Sequence, residues 1–370
     1  MNILTFAETR PQYIKAATLS RELKELMDET LVLAGPHNYP DRLFADFIEI
    51  PKPQYNLGNV TGSRCERMAK YIVAIEKILS ESDPNAVLTF GDSDGTLATA
   101  LAAAKCGYPI VHVDAGLRTH DKSLPEELNR IATDHISSIF FCPTTRCIEN
   151  LAKEGIAKNV FLAGDLMIDA LMITTKIALQ KSIVLQSLGL HEKNYMVLAV
   201  HSERTVRDPE MAKQIFSSVI DSNKRVVLAL DPNIERRLER AGLISMMRSS
   251  PNVILTAPMS YTDFIRLAMG SEKIITDSTV IQREAYILKV PCITLREESE
   301  WQETVDDGWN VLVGSDKKRI AEAIESFEPR EIQRAMFGEG KAAIKMARVL
   351  YEVLNQMMEG MDRAESISES

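Results

Sequence analysis

The segment HVDAGLRTHDKSLPEELNR, His112 to Arg130, sets four acids and three bases into nineteen residues directly behind an apolar run. Carboxylates are the side chains that most readily move protons in a confined site, and this segment opens on Asp114 and carries Glu126 further along. Asp92, in Gly91-Asp92-Ser93, stands behind another apolar run. The cations are distributed differently. Arg10 and Lys15 follow the first apolar run in AETRPQYIK, where Arg10 is read as a loop residue and Pro11 as the start of a helix carrying Lys15. His201 follows YMVLAV, and Asp277-Ser278 follow KIIT at a second expected helix start. Free N–H groups and the dipole of such a helix start favour an anion, and Arg10 and Lys15 are placed to complete a phosphate site.

Each of these residues also has a purely structural reading. Ser123 to Glu126 fits a capping box, with Ser123 as the cap and Glu126 returning to its N–H. Asp92 and Asp114 fit loop acids that cap helices, and His201 fits a satisfied histidine at a strand end. Arg130, four residues after Glu126, fits a simple i,i+4 ion pair. His112, His120, His135 and His191 form no metal-ligand spacing, so no metal is expected. No GxGxxG follows the first strand and no Walker A pattern occurs, which leaves dinucleotide and nucleoside triphosphate sites without support.

The elements that must hold these residues repeat one rhythm. Apolar β-rich runs at 2–6, 30–35, 86–91, 109–114 and 138–142 alternate with amphipathic stretches, and runs at 195–200, 225–230, 252–256, 273–277, 291–295 and 310–314 do so again. Continuous apolar strands alternating with helices imply parallel sheets covered on both faces, hence two doubly wound α/β domains. In such sheets ligands bind beyond the carboxyl ends of the strands, where the charged residues above all stand. Acids mostly from the first domain and a helix start from the second are expected to share a cleft.

The expected domains are 1–168 and 169–345. Residues 346–370 are expected to return as a helix towards the first domain, with the amphipathic pattern at 331–358 and a disordered acidic tail beyond it.

Composition narrows the partners. A formal charge of −9 over 370 residues and a pI near 5.4 provide no basic face for nucleic acid or an anionic membrane, so any anionic ligand needs a local basic cluster. The longest small-apolar run, Leu97 to Ala104, is far short of the roughly 20 residues of a membrane span. Five cysteines without CxxC spacing, behind an opening MNILTF with no basic leader, read as a reduced cytoplasmic protein.

Taken together, TRPQYIK, GDS, HVDAGLRT with PEELNR, the His201 turn, TDSTVIQREA and VPCITLREESEW resemble, in order and along nearly the whole chain, the non-hydrolysing UDP-N-acetylglucosamine 2-epimerases. Glu300-Trp301 resembles the archaeal-type branch in particular. The resemblance implies a GT-B-like pair of Rossmann-type domains facing a central cleft. It also implies inversion at C2 of UDP-GlcNAc to give UDP-ManNAc, through loss of the C2 proton and UDP to form 2-acetamidoglucal, followed by re-addition. No cofactor is implied. A homodimer is.

Carried over position by position, Asp92, Asp114 and Glu126 become the proton-transfer acids, without an assignment of the base. Arg10, Lys15 and His201 neutralise the diphosphate, and Arg130 orients the acids or touches substrate. Ser278, with Thr279 beside it, donates to phosphate, Glu284 accepts from the ribose hydroxyls, and Glu300 joins the substrate-binding set. The pattern departs where Glu8, Thr279 and Val280 replace family glycines, which allow close backbone approach to a ligand. It departs also where Asp114 replaces Glu, where His201-Ser-Glu-Arg204-Thr displaces an arginine, and where Gly35-Pro36-His37 stands for the GQH motif, so allostery is not carried over. Alternatives are an epimerase on another UDP-2-acetamido sugar, such as a 2,3-diacetamido uronate, a hydrolysing 2-epimerase, a GT-B glycosyltransferase, and an inactive UDP-sugar-binding homologue.

Overall fold

A computed structural model describes residues 1–35, 52–230, 232–256, 259–329, 332–334, 336–338 and 340–368. The chain forms two compact units. Of the described residues, those up to Met172 and from Met336 onward form the first, and those from Ile173 to Arg334 form the second. The changes of unit therefore fall a few residues after the expected 168 and ten residues before the expected 345.

The first unit holds a seven-stranded parallel sheet in the order β3-β2-β1-β4-β5-β6-β7, comprising β1 Asn2–Ala7, β2 Asp28–Leu33, β3 Tyr55–Asn56, β4 Ala86–Phe90, β5 Ile110–Val113, β6 Ile139–Cys142 and β7 Val160–Leu162. The second unit holds a six-stranded parallel sheet in the order β10-β9-β8-β11-β12-β13. Its strands are β8 Met196–Val200, β9 Val226–Leu230, β10 Val253–Leu255, β11 Ile274–Thr276, β12 Cys292–Thr294 and β13 Asn310–Leu312. All eleven expected strands are present. The two that the apolar pattern missed, β3 and β7, are the two edges of the first sheet, where strands are short and only partly buried.

Both faces of each sheet are covered, which is why the interior strands read as unbroken apolar runs. In the first unit Ile3, Leu88 and Val111 pack on one face with Leu19 and Leu23 of helix Arg10–Leu23, while Leu4, Phe6 and Val87 pack on the other with Tyr71 and Ile75 of helix Arg64–Ser82. The second unit divides in the same alternation, with Leu198 and Leu228 on one face and Val197 and Val227 on the other.

The C-terminal helix runs Ala342–Ser368, so it begins later than the amphipathic pattern at 331 and extends into the tail expected to be disordered, whose last two residues lie outside the described ones. Ala342, Ala343, Met346, Leu350 and Leu354 insert into the core of the first unit. Its start is secured by Asp169, whose carboxylate accepts from the N–H groups of Ala342 and Ala343 at 3.2 and 2.9 Å, a strong use of an acid at a helix N-terminus.

Candidate active site

The strand order of the first sheet reverses between β1 and β4, and the crevice beyond the carboxyl ends at such a point is where doubly wound sheets take ligands. Gln12 ties these ends together. Its side-chain oxygen accepts from the N–H groups of Glu8 and Thr9 at 2.8 and 3.2 Å, and its amide donates to the Phe90 carbonyl at 2.7 Å and the Thr96 hydroxyl at 3.1 Å. Helix Arg10–Leu23 has Thr9 as its cap, which puts Arg10 at the first helical position rather than in the loop. One turn further on, Lys15 reaches the carboxylate of Asp114 beyond β5, and both side chains are buried, at 8% and 5% exposure. A buried ammonium and carboxylate persist only as partners. Asp114 adopts φ 68°, a left-handed conformation that aspartate tolerates better than most residues.

Asp92 and Asp114 do not cap helices. Ser93 is the cap of helix Asp94–Lys105, accepting from Thr96 N–H at 3.1 Å. Asp92 instead pairs with Arg130, which also contacts Glu127 at 3.1 Å, and the Asp92 carbonyl accepts from Asn129 Nδ2 at 2.9 Å. The Ser123 capping box does not form either. Helix Pro125–Ile136 is capped at Leu124 without a side-chain bond, because Pro125 takes its first position.

Two adjacent glutamates then part. Glu127 is fully buried and accepts from Thr119 and His120 N–H at 2.9 Å each, while the Glu126 side chain is 47% exposed with Arg64 at 3.7 Å. Arg130 therefore reaches the i−3 glutamate rather than Glu126.

Beneath this layer, Asp134 is the hub of a buried charge network. It meets His112 Nδ1 at 2.7 Å, Arg118 Nη1 at 2.7 Å and Gly116 N–H at 3.1 Å, and Arg118 grips Glu154 through two bonds of 2.7 Å. Burial alone would raise the Asp134 carboxyl, but His112 and Arg118 hold it below the usual range. Glu127 is likewise lowered against its burial by the Thr119 and His120 N–H groups, and Glu154 is lowered chiefly by Arg118.

Acids with lowered folded values contribute stability that is present above their unfolded values, about 3.9–4.3, and is lost as the pH falls through the lowered ones. His112, raised overall, acts in the opposite sense, with its contribution complete below about pH 6.5 and lost as the pH climbs through its folded value. Circular dichroism melts are expected to show the first unit losing stability from about pH 4 downward. An unchanged midpoint down to about pH 3 would contradict these assignments.

In the second unit the order reverses between β8 and β11. Asp277, read from the sequence only as a polar strand end, is the buried acid that binds these ends together. It accepts from His201 N–H at 2.8 Å, Ser202 N–H at 3.0 Å and the Thr205 hydroxyl at 2.5 Å. Asp277→Ala strands these donors, with an expected cost of about 3 kcal/mol to the second unit. Faster hydrogen exchange at residues 201–205 is the accompanying check; unchanged exchange there would remove Asp277 from this role.

Ser278 caps helix Thr279–Ile287 by accepting from Ile281 N–H at 3.4 Å, and Ser278, Thr279 and Val280 are all partly exposed at this helix start. Glu284, on the same helix, is buried against the Tyr261 hydroxyl. Arg283 lies over the Trp301 ring at 4.4 Å, and Arg296 approaches Glu300 at 3.9 Å.

The structure thus brings Lys15 to Asp114 and Arg130 to Asp92 in the first unit, and groups His201, Ser278 and Thr279 around the β8 and β11 ends in the second. It leaves Glu126 on the helix surface and Glu300 with Arg296. Sequence reasoning missed Gln12, Glu127 and Asp134, and gave Asp277 no role beyond a polar strand end. Their signal was weak, because Gln12 joins the nearby Glu8 and Thr9 to the remote Phe90 carbonyl, Glu127 accepts from N–H groups in the preceding loop, and Asp134 and Asp277 take partners further away in the chain.

Of the residues that depart from the family pattern, Glu8 turns its carboxylate onto helix Asp94–Lys105. It accepts from Gly95 N–H at 2.9 Å and the Tyr71 hydroxyl at 3.0 Å, so this chain supplies its own anion at that helix N-terminus. Pro36 and His37 lie outside the described residues. Among the described residues no cluster of three or more His, Cys, Asp or Glu is arranged for a metal ion, and no helix is long and apolar enough to cross a membrane.

Comparison with known proteins places this geometry. Residues 21–351 match the family described as UDP-N-acetylglucosamine 2-epimerase. A relative from Methanococcus maripaludis, named UDP-N-acetylglucosamine 2-epimerase homolog, is 40% identical over 95% of this chain and 99% of its own. The UDP-2,3-diacetamido-2,3-dideoxy-D-glucuronate 2-epimerase of Pseudomonas aeruginosa is 34% identical over 95% and 99%. The crystal structure of Methanocaldococcus jannaschii UDP-GlcNAc 2-epimerase, in complex with UDP-GlcNAc and UDP, superposes with a TM-score of 0.87 at 34% identity, covering 95% of this chain and 99% of that one.

Proposed function

The chain belongs to the UDP-N-acetylglucosamine 2-epimerase family, and from that premise we propose that it interconverts UDP-GlcNAc and UDP-ManNAc. A base takes the proton from C2 as the C1–O bond to UDP breaks, leaving 2-acetamidoglucal and UDP. UDP then adds back at C1 while a proton returns to C2 from the opposite face. The C2–H is a very weak acid and the departing diphosphate accumulates negative charge, so the reaction needs positioned carboxylates and cations together.

The observation that carries this reading is the buried Lys15–Asp114 pair at the β1/β4 reversal, beside an Asp92 held by Arg130. Asp92, Asp114 and Glu126 are the proposed proton-transfer acids, and Arg130 fixes Asp92. Arg10, Lys15 and His201 act on the diphosphate. Ser278 and Thr279 donate to phosphate at the start of helix Thr279–Ile287, Glu284 takes the ribose hydroxyls, and Glu300 belongs to the substrate-binding set. No metal or organic cofactor enters these steps.

Incubation with UDP-GlcNAc in D2O, followed by NMR, tests the proposal. UDP-ManNAc carrying deuterium at C2 is the expected product. Free ManNAc with UDP would make the chain a hydrolysing 2-epimerase, and an inert substrate would overturn the reading. The Pseudomonas relative favours one further substrate, the UDP-2,3-diacetamido uronate, and parallel incubation decides which sugar is the better one.

Glu284→Ala is expected to weaken UDP binding by roughly tenfold or more, since a lost charge-assisted hydrogen bond costs about 1.5–3 kcal/mol. The rate at saturating substrate should change little; calorimetry that finds unaltered affinity would free Glu284 from the ribose. A cytoplasmic homodimer completes the proposal, consistent with five free cysteines, and sedimentation velocity checks the dimer.

A further inference from the structure

We propose that His112 is a positioning residue of the proton-transfer site, a buried imidazolium that holds the turn into Asp92 and places a fixed positive charge beside Asp114. The inference rests on the reading of Asp92 and Asp114 as acids that act on the sugar.

The charge state follows from the partners. His112 lies on β5, wholly enclosed, with Nε2 2.9 Å from the Gly91 carbonyl and Nδ1 2.7 Å from Asp134 Oδ1. A carbonyl oxygen only accepts, so Nε2 bears a hydrogen. Asp134 already accepts from Gly116 N–H and the Arg118 guanidinium through its other oxygen, the pattern of an ionised carboxylate, so Nδ1 bears a hydrogen as well.

The charges facing the ring agree. Helix Pro125–Ile136 contributes Asp134, the end of β5 contributes Asp114 with Lys15 of helix Arg10–Leu23 behind it, and the segment after β5 contributes Arg118 paired with Glu154. From β6 the register neighbour is the apolar Phe140. Asp134 and Asp114 are the carboxylates that act on the ring, Arg118 is shared between Asp134 and the partly exposed Glu154, and His135 stands 3.3 Å from Glu154 at the solvent edge. Burial opposes the charged ring, but Asp134, the Gly91 carbonyl and Asp114 together raise its proton affinity above the ordinary value.

The position explains what the charge does. Gly91 has φ 63°, and a side chain added there would come within 3.8 Å of both Asp114 Oδ2 and Gln12 Nε2, so the glycine turn runs directly past the Asp114 carboxylate. Its carbonyl leads into the peptide of Asp92. His112 therefore fixes the near side of Asp92, while Asn129 and Arg130 fix its carbonyl and carboxylate.

His112→Gln keeps an N–H donor for Gly91 but carries no charge, and it separates placement from electrostatics. The expected result is a kcat lower by roughly 10- to 100-fold with KM within about threefold of wild type, the scale of the one to two pKa units that a carboxylate gains when a neighbouring cation is lost. The acid limb of the kcat/KM profile should also move to higher pH, because the carboxylates lose a neighbouring cation and take up protons sooner. An unmoved acid limb with wild-type kcat would overturn the proposal, as would a loss of rate that tracks unfolding alone.

The wild-type protein offers an independent check should that variant not fold. Nitrogen-15 NMR is expected to show His112 doubly protonated at pH 7.5, and a neutral tautomer in an active enzyme would overturn the proposal. A wild-type protein that leaves C2 of UDP-GlcNAc unexchanged removes the catalytic reading, and the positioning role with it, whatever the ring's charge.

Discussion

Asp114→Asn is expected to slow exchange of the C2 hydrogen with solvent by about 10³-fold, within the 10²–10⁴ range that a positioned acid or base contributes. The substitution is nearly isosteric, so the turn at φ 68° and the contact with Lys15 persist in shape while the negative charge is gone. Lys15 then loses the buried counter-charge that fixes its position, which weakens its hold on the departing diphosphate. Both partners of the pair are disabled by one change. UDP affinity should fall far less than the rate, since the proposed ribose and helix-start contacts belong to residues 278–284. Solvent deuterium uptake by NMR reads the first quantity and calorimetry the second. A variant that exchanges C2 at the wild-type rate would take Asp114 out of proton transfer.

The largest structural effect is expected from Asp134→Asn. Asp134 is fully buried and is the anion shared by His112 and Arg118, with Gly116 N–H as a third donor. Neutralising it leaves two buried cations with Glu154 as their nearest counter-charge in the network, and removal of one partner from a buried pair costs about 3–5 kcal/mol. The midpoint of the first unit should fall by on the order of 10 °C at that cost. The second unit has its own sheet and core, so the melt is expected to separate into two transitions, the later one unmoved. Calorimetry that finds a single transition at the wild-type temperature would mean that the network contributes little to the fold.

Catalytic loss would accompany this change for a different reason than in Asp114→Asn. The Asp134 carboxylate acts on the site through the ring of His112 and the Gly91 carbonyl. Its variant should therefore lose rate in step with its loss of order around Gly91, whereas Asp114→Asn should lose rate in a well-folded protein.

Particular residues show how far the amino-acid sequence reaches. The eleven interior runs were legible because a strand buried on both faces must be apolar at every position, a local demand that leaves a local mark. Strand ends were legible for the same reason, since a polar residue directly behind such a run marks the edge of the sheet. Asp92, Asp114, His201 and Ser278 were found in that way, and their roles came from the family's motifs rather than from their spacing. The edge strands β3 and β7 escaped because they carry few buried positions. The final helix escaped beyond residue 358 because its last turns are polar.

What the sequence by itself determined is the class of fold, the family and the set of polar residues placed at strand ends, because these depend on the order and burial of neighbouring residues. Only the tertiary structure decided which acid pairs with which cation. Asp114 finds Lys15 at a separation of 99 residues and His201 is held by Asp277 at 76, whereas Glu126 and Glu127, adjacent in the chain, face different surroundings. Partners so far apart leave no periodicity to read. Their meeting is set by the crossover order of parallel strands, which brings remote strand ends side by side and lets burial and charge select the pairs.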